Sequence, residues 1–233
     1  MAAGGAAVSV VVAGATIARN ASSATPSRHL VVVELYQSQG CSSCPPADEL
    51  LNSLAPRSDV LPLSFAVTYW DYLGWKDPYA RSDYAQRQRD FAGAHGSSIV
   101  ATPQFVVDGK SIVSGGDREA LEAAMRIASK APPGPSIGMA GGAIVIGSGK
   151  PSRTATVWLL RYDPSLRSIH VDRGENGGRT LTHRNIVTSL RRVGSWTGKP
   201  LKFVPPAYRD PAERSAILIQ AGTGGPIIGA ARL

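Results

Sequence analysis

The chain has 233 residues, of which 43% are hydrophobic and 18% are charged, fractions ordinary for a globular protein with ample material for a core. Its net charge of +8 is confined to the second half, because residues 1–130 carry 11 Lys and Arg against 12 Asp and Glu, whereas residues 131–233 carry 14 against 5. These basic residues are scattered singly apart from Arg191-Arg192, which argues against a nucleic-acid site. The surplus leaves room for an anionic partner, such as an acidic polymer or a lipid headgroup.

The first residues have the features of an export signal. Ala6–Ala18 (AAVSVVVAGATIA) is uncharged and apolar, too short to span a membrane, and as long as the core of a signal peptide. It departs from a typical signal in that no Lys or Arg precedes it. We predict a signal peptide or a disordered leader over residues 1–27, a secreted or periplasmic location, and no stable membrane span.

The two cysteines of the chain are separated by two serines and directly follow an apolar run. Leu30–Tyr36 (LVVVELY) is typical of a buried strand. Pro45 and Pro46 suit the first turn of a helix, so Cys41 should lie at or just before a helix N-terminus. The free N–H groups and the dipole there favour a thiolate, and the pair Cys41 and Cys44 is therefore a candidate dithiol/disulfide centre.

Other uses of the cysteine pair are weaker but stay open. Zinc would need about four ligands, and no second Cys-x-x-Cys or His-x-x-x-His follows. A c-type haem would need histidine where Pro45 stands. Copper held by both thiolates and His95 is a minor option. A permanent disulfide that only staples the loop is the main alternative, and we expect neither a metal nor another cofactor.

Residues after the cysteines predict a β-α-β unit with an aromatic loop. Pro45–Ala55 has leucines at helical spacing, and Val60–Thr68 is typical of the next strand, which a helical connection makes parallel to the first. Tyr69–Tyr79 (YWDYLGWKDPY) then follows the carboxyl end of that strand, where ligands collect in open α/β sheets. Its Trp70, Asp71 and Trp75 are candidate substrate-binding residues, with a packed local cluster as an equal alternative.

The rest of the first half predicts a helix, a hairpin and another helix. Arg81–Ala94 has the pattern of a polar surface helix. Asp108-Gly109, between two β runs, is a strong hairpin signal, and Pro103 precedes the first of these runs. Asp117–Ala128 is amphipathic and closes the region as a helix.

This order of elements resembles the thioredoxin fold. The stretches GCSSCPPAD, YWDYLGWKDPYA, ATPQFVVDG and RGENGGRTLTHRN together resemble a family of uncharacterised, mostly bacterial secreted proteins with a thioredoxin-like domain. The resemblance implies that Cys41 is the attacking thiol, Cys44 the resolving thiol and Pro103 a cis-proline, with Thr102 offering its backbone to a bound peptide. The sequence departs from that pattern in one respect, since no obvious buried carboxylate occupies the position that relays protons to Cys44. Glu34, on the first strand, is a candidate for this role, with an ordinary solvated glutamate as the favoured alternative.

Beyond a Pro/Gly linker at 131–135, the sequence predicts a β-rich, sandwich-like C-terminal domain over 136–233. Short strands are expected at 137–147, 154–162, 168–173 and 216–221, and one helix at Thr182–Val193. His170 and His183 have no partners nearby in sequence and are expected to be structural. Gly174–Gly178 is expected to be a turn.

The expected architecture is therefore α/β: a thioredoxin-like domain over 28–130, with a mixed sheet and flanking helices, followed by the small β-rich domain. Two classes of function remain. The first is an exported thiol–disulfide oxidoreductase that acts on protein or small-molecule thiols and disulfides. The second is a binding protein on the same scaffold, whose disulfide is structural and whose aromatic loop contacts a partner.

Overall fold

The computed structural model describes residues 29–206 and 210–233, so the predicted leader at 1–27 lies outside the described residues. Three helices and a 3₁₀ helix alternate with strands in the first half: β1 (Val31–Gln37), α1 (Pro45–Leu54), β2 (Val60–Ala66), the 3₁₀ helix (Thr68–Leu73), α2 (Ser82–Ala94), β3 (Gln104–Val107), β4 (Ser111–Ser114) and α3 (Arg118–Ala128). Strands follow in the second half: β5 (Ile137–Ala140), β6 (Ala143–Ile146), β7 (Ala155–Asp163), β8 (Arg167–Val171), β9 (Arg179–His183), β10 (Ile186–Trp196), β11 (Leu201–Phe203), β12 (Arg214–Ala221) and β13 (Ile227–Arg232). Within these residues, none of the helices has the length and apolar character needed to cross a membrane.

One large sheet organises both halves of the chain. Its eight strands run in the order β13-β12-β7-β10-β2-β1-β3-β4, with β1 parallel to β2 and antiparallel to β3. Smaller sheets are formed by β11-β6-β5 and by the hairpin β8-β9. The predicted α/β class with a mixed sheet is confirmed.

A separate β-rich domain with its own sheet is not confirmed, because β10 lies parallel to β2 and continues the sheet of the first half. The backbone N–H of Ser64 donates to the carbonyl of Asn185 at 2.9 Å, and the Asn185 side chain donates to the carbonyl of Pro62 at 2.8 Å. Without β10, the buried strand β2 would present an unpaired edge. The linker at 131–135 therefore separates segments of the chain whose strands share a sheet.

The predicted helix Thr182–Val193 is wrong, since β9 and β10 occupy this stretch. The spacing of Ile186, Val187 and Leu190 fits a helix, but β-branched residues favour a strand where neighbouring strands are available. Asn185 has φ 53°, which no right-handed helix can accommodate, and it separates the two strands. Pairing of β10 along the length of β7 then decides the conformation.

The two faces of β1 pack against different helices. Val31, Val33 and Leu35 belong to a core shared with α1 and α3, whereas Val32 and Tyr36 belong to a core shared with α2 and strands of the second half. This is the alternation of side chains along any strand. It places α1, with the cysteines at its start, on the face opposite α2.

The predicted hairpin between β3 and β4 is confirmed. Asp108 and Gly109 are the central residues of a turn that the Lys110 N–H closes on the Val107 carbonyl, and both have the positive φ, 49° and 64°, that such a turn requires. A Cβ at Gly109 would stand 2.5 Å from the carbonyl oxygen of Gly225, so the turn also packs closely against the second half of the chain.

Candidate functional site

Both cysteines lie at the start of α1, just after the carboxyl end of β1. Cys44 is the N-cap residue of α1, with Pro45 in the first turn, and its carbonyl accepts hydrogen bonds from the N–H groups of Ala47 and Asp48. The N–H of Cys41 donates to the carbonyl of Ser38 at 3.1 Å. Both side chains are buried, and both are free thiols. Two free thiols therefore lie together at the start of α1.

The two thiols have opposite electrostatic environments. A hydrogen bond from the Cys44 thiol, with further help from the Ser43 hydroxyl at 3.3 Å and from Thr102, lowers the pKa of Cys41 to about 6. Burial and the neighbouring Cys41 raise the pKa of Cys44 well above its ordinary value. At neutral pH, Cys41 is a thiolate and Cys44 a thiol, the division of labour expected of an attacking and a resolving cysteine.

The loop before β3 approaches Cys41 from the other side. The Thr102 carbonyl lies 3.8 Å from Cys41 Sγ, and the Thr102–Pro103 peptide bond is cis. The indole Nε1 of Trp70 donates to the Thr102 hydroxyl at 2.7 Å, while the Trp70 Cβ lies 3.4 Å from the point where a Cβ on Gly40 would stand. Trp70 thus bridges the two segments that flank Cys41.

The other residues of the aromatic loop hold it against the segment before Cys41. Trp75 donates from Nε1 to the Gln39 side-chain oxygen at 2.9 Å. Asp77, which sequence reasoning missed, accepts hydrogen bonds from the N–H groups of Gln39 and Tyr79 at 3.1 and 2.9 Å. The Asp71 carboxylate accepts from the N–H of Asp77, and burial raises the pKa of Asp71. Trp70 and Trp75 therefore reach the cysteine segment, and Asp71 stabilises the loop itself.

A buried carboxylate does lie beside Cys44, on α1. Asp48 follows Cys44 by one helical turn, and its Oδ1 lies 3.2 Å from Nδ1 of His183, at the end of β9. Burial raises the pKa of Asp48, whereas the charges of Asp48 and Asp77 raise the pKa of His183 despite its burial. His183 is therefore a member of the site, contrary to the expectation of a purely structural histidine without partners. The sequence signal was a carboxylate at i+4 from Cys44 on the inner face of a helix.

The turn between β8 and β9 also reaches the cysteines. Asn176 is buried, and its Nδ2 donates to the carbonyl oxygens of Gln39 and Cys41 at 3.0 and 2.8 Å. Glu175 accepts hydrogen bonds from the N–H and the hydroxyl of Ser42 at 2.9 and 2.8 Å. The stretch at Gly174–Gly178 is a turn, as predicted, but two of its side chains hold the Cys-x-x-Cys segment in place.

Comparison with known proteins assigns the chain to a family. A model of a family described as proteins of unknown function (DUF1223) matches residues 32–220. The chain belongs to this family. A crystal structure of a protein from Agrobacterium tumefaciens is 32% identical, with a TM-score of 0.71, over 90% of this chain and 96% of that one. The structure of HBP35 of Porphyromonas gingivalis is 14% identical, with a TM-score of 0.59, over 88% of this chain and 75% of that one, and it shares the fold. No curated protein matches the chain.

The match to the DUF1223 family spans every contact described above, from Ser38 to His183. The site is thus built by both halves of the matched region: the cysteines, the aromatic loop and Thr102–Pro103 come from the first half, and Glu175, Asn176 and His183 come from the second.

Two minor options that the sequence left open, a proton relay through Glu34 and a copper ligand at His95, do not fit the structure, and His95 is an exposed residue at the end of its helix, as the sequence favoured. Glu34 cannot relay protons to Cys44, because it lies on the α2 face of β1, where Arg87 binds its carboxylate at 2.7 and 2.8 Å. The ring nitrogens of His95 lie 2.8 and 3.1 Å from the carbonyl oxygens of Phe91 and Lys110, at the end of α2, so His95 is not a ligand beside the thiols. Within residues 29–206 and 210–233, no group of three or more His, Cys, Asp and Glu side chains has the geometry to hold a metal ion.

Proposed function

We propose that the protein is a thiol–disulfide oxidoreductase that works through Cys41 and Cys44. The observation that carries the proposal is the placement of the two sulfurs: Cys41 accepts a hydrogen bond from Cys44 at the start of α1 and is a thiolate at neutral pH. The order β1, Cys-x-x-Cys, α1, β2, then Thr102–Pro103, β3, β4 and α3 supports a thioredoxin-like arrangement within the larger sheet.

The reaction follows from thiol exchange. The Cys41 thiolate attacks one sulfur of a substrate disulfide, the substrate S–S bond breaks, and the other sulfur leaves as a thiolate that takes a proton from water. Cys44 then loses its proton and attacks Cys41 Sγ, which releases the second substrate thiol and leaves a Cys41–Cys44 disulfide. Two electrons pass from the cysteine pair to the substrate, and the oxidised protein runs the same steps in reverse.

The second step needs an acceptor for the proton of Cys44, whose pKa burial raises. Asp48 lies one turn further along the same helix, and its pKa is also raised, so its carboxylate accepts a proton more readily than an exposed aspartate does. His183 holds the other side of this carboxylate. We assign Asp48 as the group that takes the proton from Cys44 and His183 as its positioning residue.

The proposed compartment is outside the cytoplasm, because the apolar leader and a chain with two cysteines in one Cys-x-x-Cys fit an oxidising environment. The proposed substrates are protein or small-molecule thiols and disulfides, with an anionic partner as a further option for the basic second half.

One observation favours the alternative, a binding protein with an inert cysteine pair: both cysteines are fully buried. A substrate can reach Cys41 Sγ only if a neighbouring segment moves, and the bridge from Trp70 to Thr102 is the contact that spans the site. In this alternative, Trp70→Ala abolishes partner binding whereas Cys41→Ser leaves it intact.

The experiment is a redox titration of the cysteine pair in glutathione and dithiothreitol buffers, followed by acid quenching, alkylation and mass spectrometry. A catalyst of exchange should equilibrate with a potential of about −270 to −120 mV. The pH dependence of Cys41 alkylation should show a midpoint near 6, rising from thiol to thiolate as pH increases. Cys41→Ser should abolish exchange with a model disulfide, while Ser53→Ala, at an exposed site on α1, should not.

A potential below about −300 mV, or exchange too slow to equilibrate, would identify a structural staple and reject the proposal.

A further inference from the structure

The turn between β8 and β9 puts a carboxylate against the residue that follows Cys41. Glu175 is exposed, and its Oε2 accepts both hydrogen bonds from Ser42, the residue that follows Cys41. The neighbouring Asn176 is buried and holds the carbonyl oxygens on either side of Gly40, which fixes the turn relative to Cys41. The position of the Glu175 side chain is therefore set by both its own contacts and those of Asn176.

Glu175 carries its negative charge whenever the pair reacts. The N–H and the hydroxyl of Ser42 lower the pKa of Glu175, so the carboxylate is ionised throughout the neutral range. Ser42 is exposed and directly follows the attacking cysteine, and without Glu175 its free N–H would attract an anionic group of an incoming molecule. Because Glu175 occupies this donor, the exposed surface beside Cys41 attracts cations instead. Two other charged residues of this turn have contacts away from Ser42, since Asp172 lies 3.8 Å from His170 and Arg179 donates to the Asn176 side-chain oxygen at 2.6 Å.

We propose that Glu175 sets the substrate class of the Cys41–Cys44 pair by favouring disulfides that carry a positive charge close to the sulfur atoms. This inference rests on the proposed function and uses the exchange step written above, in which Cys41 attacks and the substrate S–S bond breaks. A cation one or two bonds from the attacked sulfur is attracted by Glu175 during the attack, and a carboxylate there is repelled. A peptide disulfide flanked by Lys or Arg is the natural form of such a substrate.

The size of the effect follows from the exposure of Glu175. Two charges separated by the length of one side chain in water change a rate by about threefold. A cationic and an anionic disulfide respond in opposite directions, so their rate ratio should change by about tenfold when the charge is removed. The effect is screened as ionic strength rises, because both charges are in contact with solvent.

The test uses three small disulfides of matched length: cystamine, a dication; 2-hydroxyethyl disulfide, which is neutral; and 3,3′-dithiodipropionate, a dianion. Second-order rate constants for oxidation of the reduced protein are measured at pH 7.5 by acid quenching and mass spectrometry. In Glu175→Gln, which keeps an oxygen that can accept from Ser42, we expect the cystamine-to-dithiodipropionate ratio to fall about tenfold, and the rate with the neutral disulfide is the reference that removes any general change in reactivity. Glu122→Gln removes the same charge beside Arg57, beyond the far end of α1, and should leave the ratio unchanged.

A second measurement avoids any variant. In the wild-type protein, the same ratio should fall severalfold when sodium chloride is raised from low concentration to about 1 M. A ratio that is unchanged in Glu175→Gln and insensitive to salt would overturn the assignment of Glu175 while leaving the oxidoreductase proposal intact. Equal slowing with all three disulfides would show a purely structural role and overturn it as well. Failure of the wild type to react with any of them would overturn the proposed function and this inference with it.

Discussion

Two buried charged pairs lie on opposite faces of the sheet, and they are built differently. On the α2 face, Arg87 binds Glu34 through two hydrogen bonds, at 2.7 and 2.8 Å, and also donates to Gln220 at 3.0 Å. The Tyr36 hydroxyl donates to the same carboxylate at 2.7 Å, and the Arg87 guanidinium lies 4.9 Å from the centre of the Phe91 ring. On the α1 face, Asp48 and His183 meet at 3.2 Å, and none of their side-chain nitrogen and oxygen atoms makes a hydrogen bond of good geometry with the described residues.

The difference separates a structural pair from one that can change its protonation. A buried ion pair whose hydrogen-bonding groups are satisfied loses several kcal/mol if either partner loses its charge, so its protonation is fixed. A buried pair with unsatisfied atoms gains less from its charges, and a proton can be added or removed at lower cost. The pair beside Cys44 is of the second kind, as a group that accepts a proton during exchange should be.

The largest effect is expected from a variant that breaks the satisfied pair of Arg87 and Glu34. Arg87→Met leaves the Glu34 carboxylate buried without its counter-charge and should lower the free energy of unfolding by about 3–5 kcal/mol, measured by urea denaturation. Adding Glu34→Gln should restore a large part of the loss, because the buried charge is then gone as well. The pH midpoint of Cys41 alkylation should stay near 6 in the double variant. A loss below about 1 kcal/mol in Arg87→Met would show that this pair is not the structural one.

A smaller effect, on rate and not on folding, should follow from Asp48→Asn. The first attack by Cys41 should be unchanged, but release of the second substrate thiol should slow at least about tenfold at pH 7, because the acceptor for the Cys44 proton is gone. Rapid mixing with 2-hydroxyethyl disulfide and acid quenching should then trap the mixed disulfide on Cys41. Glu49→Gln, at the next and exposed position of α1, is the matched control. Equal lifetimes of the mixed disulfide in both variants would exclude Asp48 as the acceptor.

Local patterns in the sequence predicted the first half of the fold well. The apolar run at β1, the leucine spacing in α1 and the Asp108-Gly109 turn each specify their element through neighbouring residues, and the structure has these elements within one or two residues. The second half depends on contacts distant in sequence. Because β10 pairs with both β2 and β7, the conformation of its residues is decided by partners that no local window contains.

The residues of the candidate site also divide into those that local sequence predicts and those that only long-range contacts reveal. Cys41, Cys44, Thr102 and Pro103 could be assigned from spacing and resemblance, and the structure brings them together. Glu175, Asn176 and His183 could not, since they lie more than 130 residues from the cysteine segment that they contact. The sequence places Asp48 in the first turn of α1, where a carboxylate at an exposed position would complement the helix dipole, and this pattern does not show that the side chain is buried. Its burial depends on β9, whose last residue, His183, was predicted to lie in a helix.

The smallest expected effect is the dependence of stability on pH that the unsatisfied pair produces. The negative charges of Asp48 and Asp77 raise the pKa of His183 above its unfolded value, so the stabilisation is fully present below about pH 6.5 and is lost as pH rises through the folded-state pKa. Cys41 has the opposite sign, because its pKa is lowered and its thiolate stabilises the reduced protein as pH rises from 6 to 9. The measurement therefore belongs in Cys41→Ser/Cys44→Ser, where urea denaturation at a series of pH values should show the free energy of unfolding falling as pH rises above about 6.5. Adding Asp48→Asn should flatten this fall, since His183 then loses its nearer charge. A stability that rises over the same range in the double-serine variant would show that His183 is neutral throughout and that the pair beside Cys44 does not exchange a proton near neutral pH.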